Sequence, residues 1–179
     1  MKLTSLFTPR VLNLLGFAAC VGLMAAALVL QYVEGLEPCP LCILQRVAVI
    51  LLGAVFLIAA LHNPAVLGRR VYAAVCLVIA AAGAGVAGRH VWLQHLPPEE
   101  VPPCGPGMDY ILDTFPLSKA FAIILRGSGD CAALDWTLLG LSIPGWTLVA
   151  FIGFGALALV LLVYRFPAPG GLRFGARLR

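Results

Sequence analysis

Four apolar runs, each long enough to cross a bilayer, constrain this chain more than anything else in it. They cover about residues 11–31, 41–61, 71–88 and 145–164, and Arg46 is the one charged residue inside them. At about 1.5 Å of rise per residue, helices of this length traverse a hydrocarbon core of about 30 Å. Without water there, each backbone N–H and C=O has to bond within its own segment, which selects helix. The composition agrees: 61% of the residues are hydrophobic and 11% charged, against about a quarter charged in soluble domains. So much apolar surface needs lipid to cover it. The expected fold class is an all-α membrane protein, a single four-helix domain over residues 1–179.

Charge orients the bundle. Lys2 and Arg10, then Arg69 and Arg70, then Arg165, Arg173, Arg177 and Arg179 hold eight of the twelve cations in segments with no acid. Every Asp and Glu lies in the other two connecting segments. Basic loops stay on the cytoplasmic side, so segments 1–10, 62–70 and 165–179 are expected there. Segments 32–40 and 89–144 are expected to face outward. Tyr32, Trp92, Trp136, Trp146 and Tyr164 fall near the span ends, as an aromatic belt does. In the third span Ala81/Gly85 and Ala84/Gly88 have the spacing that lets helices approach closely.

The long outward segment is unlike the rest. Leu96-Pro97-Pro98 and Val101-Pro102-Pro103 lead into Cys104-Gly105-Pro106-Gly107, a density of helix breakers that favours extended or turned backbone reachable by a partner protein. Leu117, Phe121, Ile124 and Leu125 then repeat at helical spacing over a stretch too short to span, which predicts a helix lying in the interface. Gly127-Ser128-Gly129-Asp130 loosens the chain before Cys131.

Four of the six cysteines fall on the outward side, where disulfides persist. Cys39 and Cys42 form a C-x-x-C pair at the start of the second span. A helix start offers unpaired N–H groups and the positive end of the dipole, surroundings in which such pairs act as redox thiolates. Pro40 is tolerated at that position because its missing N–H is not needed. Arg46, one turn beyond Cys42, shares its helix face. There it either stabilises a thiolate or an anionic ligand oxygen, or snorkels to headgroups. Cys104 and Cys131 read as a loop staple or as a second redox pair. Two dithiols on one side of a membrane make a relay for thiol–disulfide exchange, which then needs an electron acceptor. A lipid-soluble quinone requires only an apolar groove with a few polar contacts. His90, at about the depth of Arg46, is either a proton-handling group beside that groove or a wetted interfacial histidine. A zinc site would need about four ligands. Cys104 and Cys131 are too far apart in sequence to clip one, and no metal is expected. Cys20 and Cys76, inside spans, read as small core residues. A non-catalytic scaffold with two structural disulfides remains the reading from another class.

Taken together, Cys39-Pro40-Leu41-Cys42 with Gln45-Arg46, Cys104 in the next outward segment, Ser128-Gly129-Asp130-Cys131 and Leu139-Gly140-Leu141-Ser142-Ile143-Pro144-Gly145-Trp146 resemble the DsbB family of bacterial disulfide bond formation proteins over nearly the whole chain. The resemblance implies a thiol:quinone oxidoreductase of the bacterial inner membrane that passes two electrons from a DsbA-type periplasmic dithiol to ubiquinone or menaquinone. No surplus interface is evident, so a monomer is expected, and no nucleic acid is expected as a partner. It implies that Cys104 of a Cys104–Cys131 disulfide meets the partner, that Cys131 exchanges with Cys39, and that Cys42 contacts the quinone with Arg46 and His90 nearby. Gln45 stands where some members carry glutamate. A DsbI-like paralogue with a dedicated partner is the alternative within the same chemistry.

Overall fold

The computed structural model describes residues 8–105, 107–134 and 136–164, with Met108 by its backbone alone. The basic residues Lys2, Arg165, Arg173, Arg177 and Arg179, the breakers Pro167 and Pro169, and Pro106 and Asp135 therefore lie outside the described residues.

Among the described residues, four helices are long and apolar enough to cross a membrane: α1 (Pro9–Tyr32), α2 (Pro40–His62), α3 (Val66–Leu93) and α7 (Ile143–Val163). Their ends follow from local chemistry. Thr8 caps α1 by accepting from the Val11 N–H, and Ser142 caps α7 by accepting from Gly145. Proline opens α1, α2 and α7, where its lack of an N–H costs nothing. Asn63 closes α2 in the left-handed region that asparagine tolerates. Helix α3 runs about five residues past the expected span at each end. The polar residues Arg69, Arg70, Arg89 and His90 end the hydropathy signal but not the helix.

Neighbouring helices pack in the order α1–α2–α3–α7, and α1 touches α7 only slightly. Phe56, Leu52, Cys20, Cys76 and Phe151 fill the core between them. Helix α3 packs tightly on α7 at Gly83, where an added Cβ would run into the Phe151 ring. That corrects the expected Ala81/Gly85 and Ala84/Gly88 stripe: an added Cβ at Gly85 or Gly88 meets nothing within 4 Å. The buried stripe is Ala73, Cys76, Ala80, Gly83, Ala87 and His90.

Between α3 and α7 the chain forms three short helices and a hairpin: α4 (Met108–Thr114), α5 (Leu117–Arg126), α6 (Gly129–Ala132), and β1 (Thr137–Leu138) paired antiparallel with β2 (Leu141–Ser142). Helix α4, α6 and the hairpin were not expected. The hairpin turns at Leu139 and Gly140, both at positive φ, as a two-residue hairpin loop requires. Helix α5 is the interfacial helix the spacing predicts. It buries Ala120 and Ile124 and leaves Leu117, Phe121 and Leu125 facing out. Arg89 fixes its far end by donating to the Arg126 carbonyl at 3.0 Å, while its guanidinium lies 4.1 Å from the Trp92 ring centroid. Leu41, Leu93, Ile111, Ala120, Ile124 and Cys131 form a second core that holds this segment on the ends of α2 and α3.

Candidate active site

Cys39 is the N-cap of α2 and Pro40 its first residue, so the C-x-x-C pair wraps the helix start. Cys42, in the first turn, faces the bundle interior. His90 projects from the last turn of α3 and is 3% exposed, so it is not a wetted interfacial residue. Its Nε2 is 3.8 Å from Cys39 Sγ and its Nδ1 4.0 Å from Cys42 Sγ. The two sulfurs and the ring lie within 4.8 Å of one another.

Two residues that carry no redox chemistry hold the imidazole in place. Gln45 Nε2 is 3.1 Å from His90 Nδ1, and Thr147 on α7 donates to Gln45 Oε1 at 2.6 Å. Gln45 thus joins α2, α3 and α7. Thr147 escaped the sequence analysis because one hydroxyl inside an apolar span gives no local signal of its partner.

Arg46 does not snorkel. It donates to Gln31 Oε1 and, at 3.2 Å, to the Ala27 carbonyl, both on α1. Those contacts hold the guanidinium at the wall of a cavity lined by α1, α2, α3 and α7. Leu23, Met24, Val49 and Ile143 give the cavity apolar walls, and Cys42, Gln45, Arg46 and His90 give it a polar end. One thiol, one guanidinium and one imidazole around an apolar slot fit a flat ring bearing two carbonyl oxygens.

The other two predicted cysteines come close but stand differently. Cys131, on α6, is fully buried. The hydrogen bond to Cys39, and then burial, push its thiol above the ordinary range. Cys104 is exposed, and its sulfur sits where the chain crosses Gly129: an added Cβ there would be 3.3 Å from Cys104 Sγ. The Gly129 N–H donates to the Pro103 carbonyl at 3.3 Å. Asp130, hydrogen-bonded to Cys104 and repelling its thiolate, pushes that thiol up. All six cysteines stand as free thiols. Cys20 and Cys76 are buried in the membrane core, away from the cavity.

The family model for "Disulfide bond formation protein DsbB" matches residues 9–161. The chain belongs to the DsbB family. A disulfide bond formation protein B of Methylococcus capsulatus is 55% identical over 151 residues, 84% of this chain and 92% of that protein. Its counterpart in Hahella chejuensis is 56% identical over 149 residues, covering 83% and 90%. The one in Azoarcus is 48% identical over 170 residues, 95% of each chain. As a member of that family, the chain is a multi-pass inner-membrane thiol:quinone oxidoreductase of disulfide bond formation.

Proposed function

We propose that Cys104 meets the reduced dithiol of a DsbA-type partner and that electrons then pass through Cys131 and Cys39 to Cys42 and the quinone. The partner's thiolate attacks Cys104 of a Cys104–Cys131 disulfide, forming a mixed disulfide and releasing Cys131. The partner's second thiol displaces Cys104 and leaves as a disulfide. Cys131 attacks Cys39 of a Cys39–Cys42 disulfide and Cys42 leaves. Cys104 then resolves the Cys39–Cys131 bond, which restores the outer disulfide and leaves the Cys39–Cys42 dithiol. A quinone held beside Cys42 would supply the sink for two electrons and two protons, and Cys39 and Cys42 re-form the inner disulfide as they give them up. Each exchange is thiolate attack on a disulfide sulfur.

The observation that supports this reading is that Cys39 packs against the buried cluster holding Cys131 and also lines the cavity with Cys42, while Cys104 stands exposed in the same outward segment as Cys131. Arg46 serves the cavity as a charged donor to a quinone oxygen, and His90 stands at the same polar end. The thiol end faces the periplasm and both termini the cytoplasm, because a persistent disulfide needs the oxidising side. One chain carries all four cysteines, so a monomer suffices. Ubiquinone and menaquinone both fit a slot of this chemistry, and reconstitution with each in turn identifies the one used. Rapid acid quenching of a single turnover, followed by peptide mass mapping, tests the relay. A transient Cys39–Cys131 bond is expected after partner oxidation, and a direct partner–Cys39 bond formed at full rate in Cys104→Ser would contradict it.

A further inference from the structure

We propose that Gln45 is a positioning residue: anchored by Thr147, it fixes His90 as the Nε2–H tautomer, so that the ring offers a hydrogen-bond donor to Cys39 and none to Cys42. The inference rests on the assignment of Cys39, Cys42 and His90 to the reaction centre and adds to it which cysteine the imidazole serves.

The direction of the chain of bonds follows from chemistry at its α7 end. The Thr147 hydroxyl has one proton and three acceptors in reach: Gln45 Oε1 at 2.6 Å, the Pro144 carbonyl at 3.0 Å and the Ile143 carbonyl at 3.1 Å. The shortest contact has the length of an O–H···O bond and is short for N–H···O. The atom of Gln45 that meets Thr147 is therefore its carbonyl oxygen, which can only accept. That turns the amide NH2 toward His90, 3.1 Å from Nδ1. An amide NH2 can only donate, so Nδ1 is the ring's acceptor and the neutral ring carries its proton on Nε2. Nε2 is the atom 3.8 Å from Cys39 Sγ.

Two consequences distinguish the cysteines. Cys39 faces an N–H donor, which favours negative charge on its sulfur whenever a mixed disulfide releases it. Cys42 faces Nδ1, whose lone pair is already engaged, so His90 is no base for Cys42. That thiol depends on the helix start and on Arg46. Gln45 is 3% exposed and bonded on two sides, so the amide cannot turn without breaking both bonds at once.

The test is a nitrogen-15 spectrum of the whole detergent-solubilised protein labelled at histidine, recorded at about pH 8, above the ordinary imidazole range. Neither quinone nor partner is added, so the outcome is independent of turnover. The chain has three histidines, and His62→Ala and His95→Ala assign the remaining signals. His95 is an internal reference, because its Nδ1 meets the Val91 carbonyl at 2.8 Å and must carry the proton. The expected result is a pyridine-type Nδ1 and pyrrole-type Nε2 for His90, the reverse of His95. Gln45→Glu keeps the size but puts an acceptor at Nδ1, and is expected to move that nitrogen to the protonated range. Thr147→Val releases the amide and is expected to give a mixture of tautomers, which Thr147→Ser restores to one. A pyrrole-type Nδ1 in the unaltered protein would overturn the proposal even if every variant failed to fold. An unshifted Nδ1 in folded Gln45→Glu would overturn it as well.

Discussion

Cys39, the N-cap of α2, packs against the buried cluster that holds Cys131 of α6, and Cys131 itself has no exposed surface. A thiol buried beside the inner pair is shielded from solvent oxidants and from the partner, and its available exchange is with its neighbours. Cys104, fully exposed in the same segment, has the opposite properties. The division of labour between them leads to the first expectation.

Cys104→Ser is expected to abolish oxidation of a reduced DsbA-type partner, while chemical reduction of the inner pair still allows quinone reduction by Cys42. Comparing partner-driven with small-dithiol-driven quinol formation checks it. Equal loss of both activities would point to a folding defect instead.

Arg46→Ala removes a charged donor from the cavity wall. Hydrogen bonds to charged groups contribute about 1.5–3 kcal/mol, so the KM for quinone is expected to rise about 10- to 100-fold. The KM for the partner, which docks outside the bundle, should stay near its original value. Steady-state kinetics with each substrate varied in turn measures the two separately.

Asp130 holds the Cys104 thiol above its ordinary range through a hydrogen bond and its own charge. Neutralising it in Asp130→Asn is expected to lower the pH at which Cys104 ionises. More thiolate is then present near neutrality, and alkylation of Cys104 in the reduced protein should be faster there. The two proteins should converge at high pH, where both are fully ionised. Rates of iodoacetamide labelling at Cys104 across pH, read by mass spectrometry, test it. Coincident profiles would remove the role given to Asp130.

Gly83→Leu forces side-chain atoms into the Phe151 ring, since even a Cβ at that position is too close. Overpacking of this kind costs about 1–3 kcal/mol, and the detergent-solubilised variant should have a lower Tm. Adding Phe151→Ala should recover part of the loss, and Gly85→Leu, which points at open space, should cost little.

The spans and the C-x-x-C pair were legible because hydropathy and a short spacing are local signals. What failed needed a partner far along the chain. An alanine-rich helix carries small-residue spacings on several faces at once, and only the Phe151 ring on α7 selects Gly83 over Gly85. At its C-terminal end α3 outruns the apolar signal because Arg89 is held by the Arg126 carbonyl, 37 residues away. Thr147 sits 102 residues from Gln45. The spacing of Cys104 and Cys131 likewise said nothing of which thiol would be buried against Cys39.

The central claim is that the pair at the start of α2 passes two electrons to a quinone in the adjoining cavity. Purified protein, a stoichiometric excess of reduced DsbA-type partner and a soluble quinone analogue, followed by the quinone's ultraviolet absorbance, measure this directly. One quinone should be lost for each partner disulfide formed, with no loss in Cys42→Ser. An unchanged absorbance with folded protein, or partner oxidation in the absence of quinone consumption, would contradict the account.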